Sequence, residues 1–248
     1  MATATLLIAG AHLYVRTADS EALQLSLDTT ADAPDPAALA EAAGWLRSRQ
    51  GRAEDVDLLL SSTRVRFVSA PWVMGTFSGA AIRHQAEQAL AATGTDPAGW
   101  ELRIQWPRYG CPVFAVAYPR QLLAGAAEAL AATGLAVRHS LATAVATATR
   151  VGTQMPQGPG LLCFAEDDGI TGVHLDDALI ADVEWVSHAG HGLDSVDVWC
   201  RRKRLEYPGE RQVRWLQPAY CPPPFEGQTT SQANGSPSAC IDLLESVA

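Results

Sequence analysis

The chain has 248 residues, of which 48% are hydrophobic, and it carries a formal net charge of −9 at pH 7. This length and apolar content suffice for one large domain or two small ones, each with a core of its own. The acidic balance argues against a nucleic-acid-binding protein, because neutralising phosphates requires a surplus of Lys and Arg.

Cysteine usage and hydropathy are typical of a cytoplasmic protein. The five cysteines form no CxxC pair and have no regular spacing, so they predict neither a disulfide framework nor a zinc module. Met1–Gly10 lacks the basic residues that open a signal peptide. No window approaches the roughly 18–20 consecutive apolar residues of a membrane span. We therefore expect a cytoplasmic location, with membrane contact only through partners.

The first part of the chain has the pattern of strands that alternate with helices. Alternating or fully apolar runs between Gly, Pro and Asp indicate strands, and apolar residues spaced by three and four indicate helices. The predicted elements are strands at Thr5–Ala9, His12–Thr17 and Leu23–Asp28, a helix at Ala37–Gln50, a hairpin of Val56–Leu60 with Arg64–Ser69, a helix at Thr76–Thr93, a hairpin of Glu101–Trp106 with Val113–Tyr118, a helix ending near Gly134, a strand at Leu135–His139 and a helix at Leu141–Thr149.

A segment with two prolines and three glycines, Gly152–Gly160, separates this part from a second one in which a meander begins again. We therefore predict a first subdomain at 1–151, a linker at 152–159, a reduced second subdomain at 160–216 and a mobile tail rich in Pro, Gly and Ser at 217–248. The predicted elements of the second part are strands at Gly160–Ala165, Thr171–Leu175 and Leu179–Ser187, a helix within Leu193–Arg204, a strand at Gln212–Leu216 and a short amphipathic helix at Cys240–Val247.

The order of elements and four motifs resemble the actin-like ATPase superfamily, which builds two ribonuclease-H-like halves from a meander followed by crossover elements. The motifs are LLLSSTRVRFVSAPW at 58–72, WELRIQW at 100–106, VFAVAYPRQLLAGAAEAL at 113–130 and GLAVRHSLATAVATATR at 134–150. They are similar to the cytoplasmic domain of the type II secretion L protein and, more distantly, to the type IV pilus M protein. The resemblance implies an α/β fold of two ribonuclease-H-like mixed-sheet subdomains, the second of them degenerate.

The phosphate-binding turns of the superfamily are only partly present. An active member needs an Asp-x-Gly first turn, because a carboxylate and backbone amides must converge on the metal and the triphosphate. The corresponding turn here, Ile8–His12, has no carboxylate. The second loop would correspond to Glu166–Gly169, with Asp167, Asp168 and Gly169 near the phosphates, but an ordinary Asp-Gly hairpin turn also explains it. We expect no ATP hydrolysis and no cofactor, with nucleotide binding at these three residues as the alternative.

A metal site is a weaker hypothesis. Imidazole, carboxylate and thiolate groups are standard zinc ligands, but their spacing here is not that of a known zinc module, and glycines between them indicate a loop. We therefore expect no metal. The residues concerned are His174, His188, His191, Asp194 and Cys200.

One strong run of positive charge, Arg201, Arg202, Lys203 and Arg204, interrupts the acidic sequence. A solvated helix face explains such a run. The alternative is a docking patch for an acidic partner segment or for anionic phospholipid headgroups beside a membrane complex.

The resemblance implies a non-catalytic cytoplasmic scaffold that binds other proteins of an inner-membrane secretion or pilus-type assembly and lies at the inner membrane through those partners. Two alternatives stay open, a nucleotide-binding actin-like ATPase and an unrelated α/β enzyme. Homo-oligomerisation is also left open.

Overall fold

The structure is a computed structural model and describes residues 4–17, 21–27, 36–49, 55–75, 78–151, 157–166, 169–177, 179–187, 192–208, 213–218 and 239–241. Within these ranges, no helix is both long and apolar enough to cross a bilayer.

Thirteen strands and five α-helices make up the described part of the chain. The strands are β1 (Ala4–Ile8), β2 (His12–Arg16), β3 (Ala22–Ser26), β4 (Asp55–Leu60), β5 (Arg66–Ala70), β6 (Trp100–Gln105), β7 (Val113–Pro119), β8 (Ala136–Ala142), β9 (Pro159–Glu166), β10 (Gly169–Asp176), β11 (Leu179–Ser187), β12 (Val213–Pro218) and β13 (Ala239–Ile241). The helices are α1 (Pro36–Arg49), α2 (Gly79–Ala92), α3 (Arg120–Ala132), α4 (Thr143–Val151) and α5 (Gly192–Glu206).

Two five-stranded sheets share one topology. The first has the order β3-β2-β1-β4-β8 and the second the order β11-β10-β9-β12-β13. In each, three antiparallel strands of a meander are followed by two strands that add in parallel. The predicted repeat of a meander followed by crossover elements is therefore confirmed.

Helical periodicity explains how the helices lie on these sheets. In α3 the buried residues Leu122, Ala126 and Leu130 recur every four positions, so one face of the helix enters the core. Helix α3 packs against α1, and their apolar faces belong to one core cluster that continues into β9, β10 and β11. The two sheets thus share a hydrophobic core.

The third sheet is small and has the order β5-β7-β6. Its core is closed by α2, which ends before Gly94 with φ +81°, in the left-handed region where glycine is favoured. The side chain of Gln105 fixes the sheet to the second half, because it donates to the carbonyl of Ile180 (3.0 Å) and accepts from the Ile180 N–H (3.1 Å). The predicted hairpin of β6 with β7 is confirmed.

The predicted hairpin of Val56–Leu60 with Arg64–Ser69 is wrong. Both sides of β4 are occupied by parallel neighbours, β1 and β8, so no edge is left for β5. A short 3-10 turn at Ser62–Arg64 leads the chain out of the first sheet, and β5 pairs with β7 instead.

The boundaries near α4 and at the C-terminus also differ from those predicted. Strand β8 continues to Ala142, and α4 begins two residues later than expected. Cys240 and Ile241, predicted to start a short helix, lie in β13, which pairs in parallel with β12. The rest of that predicted helix, 242–247, lies outside the described residues. The division into two subdomains, a linker and a tail stays a prediction.

Candidate functional site

The segment from Ser61 to Arg64 lies against the turn between β1 and β2. The Ser61 N–H donates to the carbonyl of Ile8 (3.0 Å). The Arg64 guanidinium donates through Nε to the carbonyl of Ala9 (3.0 Å) and through Nη2 to that of Gly10 (2.7 Å). A cation of the protein itself therefore binds the carbonyls of the turn between β1 and β2, the turn that the resemblance to actin-like ATPases would place at the phosphates.

On its other side the same segment meets a buried carboxyl, Glu166. The Ser62 N–H donates to both of its oxygens, at 3.1 and 3.3 Å. The Thr143 hydroxyl donates to Oε1 at 2.6 Å, and the Thr171 hydroxyl donates to Oε2. Thr171 Oγ1 is also 2.9 Å from Ser62 Oγ. We call these four residues the Glu166 cluster.

The cluster joins two segments of the first half of the fold to two strands of the second five-stranded sheet. Ser62 follows β4, Thr143 begins α4, Glu166 ends β9 and Thr171 lies in β10. All four residues are buried, and Glu166 is only 1% exposed. The two halves of the fold are therefore fastened to each other by side chains of the chain itself.

Burial sets the protonation of Glu166. The loss of solvation raises the pKa of its carboxyl, and the hydrogen bonds from Thr143, Thr171 and Ser62 oppose this only in part. Its described partners are hydroxyls and one amide, with no cation among them. The protonated form is thus favoured relative to that of an exposed glutamate.

These residues do not fit a magnesium triphosphate. The turn from Ala9 to Ala11 offers no metal-binding carboxylate, and Arg64 already binds its carbonyls. The Glu166 carboxyl, directly before the second turn, is buried and already accepts hydrogen bonds from the Ser62 N–H and the Thr143 and Thr171 hydroxyls.

The second turn itself is described only at its end. Asp167 and Asp168 lie outside the described residues. Gly169 begins β10, and a Cβ added there would be 2.4 Å from the carbonyl oxygen of Val186 and 2.6 Å from Trp185 Nε1. Close packing of β11 is therefore sufficient reason for this glycine, without a bound phosphate.

The basic run does not form a uniform face. Arg201 and Arg204 are exposed, but Lys203 is 3% exposed, and its Nζ lies 2.6 Å from Glu184 Oε1 and 2.7 Å from Glu206 Oε2. Burial alone would lower the pKa of Lys203, yet its bonds to the two carboxylates outweigh this and raise the pKa. Lys203 is thus an internal cation that holds α5 on the second sheet.

Arg202 and Trp199 also contact the carboxylates that bind Lys203. Arg202 reaches the same two carboxylates, at 3.7 Å from Glu184 and 3.4 Å from Glu206. Trp199 packs on the sheet and donates through Nε1 to Glu184 Oε2 at 3.1 Å. Of the four cations, only Arg201 and Arg204 remain as exposed candidates for docking with no described carboxylate beside them.

Of the candidate metal ligands, His174 is the one whose side chain the structure describes. Both ring nitrogens of His174 are engaged, Nδ1 at 2.7 Å from the Tyr207 hydroxyl and Nε2 at 2.8 Å from Glu184 Oε1. His188 and His191 lie outside the described residues, as do the side chains of Asp194 and Cys200. In the part of the chain that the structure describes, no group of three potential ligands is placed to hold a metal.

Sequence reasoning did not identify the Glu166 cluster. Its signal was an acid at the end of a strand that is otherwise apolar, together with small polar residues at the ends of two other elements. Such residues become a site only when the long-range pairing of the strands is known.

Comparison with known proteins defines the class of fold. No family model and no curated protein matches the chain. Among solved structures, the cytoplasmic domain of EpsL, an inner membrane component of the type II secretion system of Vibrio cholerae, matches with a TM-score of 0.58 and 15% identity over 90% of this chain and 84% of that chain.

Two further solved structures also match the fold of this chain. The PilM-PilN type IV pilus biogenesis complex matches with a TM-score of 0.60 and 15% identity, over 87% of this chain and 80% of that chain. A protein of Bacteroides thetaiotaomicron with an actin-like ATPase fold and unknown function matches with a TM-score of 0.52 and 6% identity, over 88% and 81%. The chain has the actin-like ATPase fold, as the resemblance implied.

Proposed function

We propose that this protein is a non-catalytic scaffold that binds other proteins of a bacterial envelope assembly of the secretion or pilus type. The observation that carries the proposal is the arrangement of Arg64 and Glu166. Arg64 binds the carbonyls of the turn between β1 and β2, and Glu166 ends β9 directly before the second turn. An ATPase of this fold would hold its metal and phosphates at these two turns, whereas here both side chains are committed to contacts within the chain.

The cost of opening this arrangement argues against nucleotide binding. A triphosphate would have to displace Arg64 from the carbonyls of Ala9 and Gly10 and leave those acceptors without their cation. Each buried polar group left unsatisfied costs about 1–3 kcal/mol.

The Glu166 cluster also joins the two halves of the fold, which in a nucleotide-binding protein of this fold could be the role of the bound nucleotide. A ligand shifts a conformational equilibrium only through contacts that differ between the states. Here Ser62 and Thr143 of the first half already bond Glu166 of the second. A surface assembled without a ligand suits a protein that acts by binding partners.

The assembly is inferred from the neighbours. One is an inner membrane component of a secretion system, and another was solved in a type IV pilus biogenesis complex. We infer that this chain likewise binds proteins of an envelope assembly and that these partners hold it at the cytoplasmic face of the inner membrane.

Nucleotide should leave the protein unchanged. A ligand present at 100 times its dissociation constant would add about 2.7 kcal/mol of stability. We expect no such rise in melting temperature with millimolar ATP or ADP and magnesium, and no release of phosphate, because the turn from Ala9 to Ala11 cannot hold the metal. A saturable rise would instead favour the nucleotide-binding alternative through Asp167, Asp168 and Gly169.

The exposed cations of α5 should contribute to docking. Converting Arg201 and Arg204 to serine should leave the melting temperature nearly unchanged, because exposed ion pairs are worth about 0–1 kcal/mol. If these residues dock an acidic partner, capture from a bacterial lysate should weaken in the variant and, for the wild type, at high salt. Capture that is equal for both proteins at every salt concentration would contradict this role.

A further inference from the structure

A cluster of exposed apolar side chains lies at one end of the small sheet. Met74 is 83% exposed, Tyr109 76%, Trp106 65% and Val73 52%, and Trp72 beside them is half-buried. We call these five residues the tip surface. Contiguous exposed apolar residues of this size mark binding sites more often than scattered ones do.

Strand register explains why two separate loops build this surface. Ala70 at the end of β5 pairs with Val113, and Gln105 at the end of β6 pairs with Phe114. The loop after β5 and the loop from β6 to β7 therefore leave the sheet at the same end.

Contacts within the protein hold both loops in place. The rings of Trp72 and Tyr109 meet with their centroids 5.6 Å apart. The Gln85 amide donates to the carbonyl of Pro71, which ties the first loop to α2. Arg108 donates to the Asp177 carboxylate (3.2 Å) and ties the second loop to the turn after β10. A surface ordered in advance loses little entropy on binding.

Positive charge borders the tip surface on the side of α2. A Cβ added at Gly79 would lie 3.8 Å from the Trp106 ring, so the first turn of α2 adjoins that ring. That turn contains no acidic residue, although the positive end of a helix dipole favours one. Arg83 follows on the same helix stripe as Gly79, is exposed, and pairs with no carboxylate in the described part of the chain.

We propose that the tip surface binds a short partner segment in which an aromatic or aliphatic side chain lies next to an Asp or Glu. The apolar side chain packs on Trp106 and Tyr109, and the carboxylate pairs with Arg83 and the N-terminal turn of α2. The inference rests on the proposed role as a binding protein and adds the chemistry of the partner.

Charge favours this occupant over two others. In a symmetric dimer through the same surface, the rings and the positive border of one copy would face the same rings and positive border of the other, because a two-fold interface is built from one patch on both subunits. A neutral lipid surface would use the aromatic rings and leave Arg83 without a counter-ion. Only an acidic apolar segment satisfies both the rings and the guanidinium.

Peptide selection on the 248-residue chain tests the proposal. Segments enriched from a random displayed library should carry Asp or Glu within four residues of Trp, Phe, Leu or Met. In fluorescence polarisation with a selected peptide, Trp106→Ser should weaken binding about tenfold or more, as expected of a buried aromatic anchor. Arg83→Glu should weaken it by a smaller factor, and the peptide's Glu→Gln variant should lose the difference between wild type and Arg83→Glu.

The chain offers a matched control. Leu205 on α5 is 83% exposed and distant in sequence from both loops, so Leu205→Ser should bind the peptide like the wild type. Because Trp106 and Arg83 are exposed, their variants should keep the melting temperature of the wild type.

Four outcomes would overturn the proposal: enriched peptides without carboxylates, affinity unchanged in Trp106→Ser, a dimer in sedimentation that Trp106→Ser abolishes, or Trp106-dependent binding to phosphatidylcholine vesicles. None of these outcomes would bear on catalysis. Conversely, a protein that hydrolysed ATP and still bound the acidic peptide would refute the scaffold role and retain the tip surface.

Discussion

Replacing Glu166 with alanine should lower the free energy of unfolding by about 3 kcal/mol or more, since buried donors that lose their acceptor cost about 1–3 kcal/mol each. The donors concerned are the Ser62 N–H and the Thr143 and Thr171 hydroxyls. Glutamine keeps the shape and one carbonyl acceptor, so Glu166→Gln should be far milder. Urea denaturation of the three proteins is the measurement, and equal losses in the two variants would show that the hydrogen bonds of the cluster are unimportant.

The wild type and Glu166→Gln should also differ in how their free energy of unfolding depends on pH. Because burial raises the pKa of Glu166 above its ordinary value of 4.5, the folded state binds a proton that the unfolded state releases. The stability from this carboxyl is therefore fully present below about pH 4.5 and is lost as the pH rises through the raised value. The free energy of unfolding of the wild type should therefore fall relative to that of Glu166→Gln as the pH rises above 4.5. A constant difference between the two proteins would contradict the raised pKa.

Lys203→Ala should also destabilise the protein strongly, by about 2–4 kcal/mol. Breaking a buried pair by removing one partner costs about 3–5 kcal/mol, and the figure is reduced here because the Glu184 side chain is 30% exposed. Arg204→Ala, one residue further along the same helix and exposed, should change stability by less than about 0.5 kcal/mol. Urea denaturation followed by tryptophan fluorescence compares them. Equal stabilities would mean that the whole run is a solvated face.

Local patterns identified most of the elements because each depends on neighbours in sequence. The meander of β1 to β3, the hairpin of β6 with β7 and the buried stripe Ile82, Ala86 and Leu90 of α2 all follow from periods of two or four residues. The partner of β4 does not follow in this way. Its mostly apolar sequence, DVDLLL, suits either a hairpin or a parallel strand. The two are distinguished by the pairing with β8, which lies far away in sequence.

The candidate site was harder to predict for the same reason. Glu166 is 104 residues from Ser62 in sequence, and no local pattern relates them. Lys203 did carry a local signal, since Trp199 lies one helical turn before it and both point at the second sheet. A basic residue four positions after a buried aromatic residue is a candidate for an internal ion pair even within a charged run.

The position of β4 between two parallel neighbours affects the protein during its synthesis. Strand β1 can pair with β4 as soon as both have left the ribosome, but the other edge of β4 stays unpaired until β8 has been synthesised. Strand β8 begins about 75 residues after β4 ends, which corresponds to roughly 4 to 15 s at a rate of about 5–20 residues per second. Throughout this interval the nascent chain exposes an unpaired edge with the sequence VDLLL. Translation speed across 61–135 therefore sets how long this aggregation-prone edge remains open.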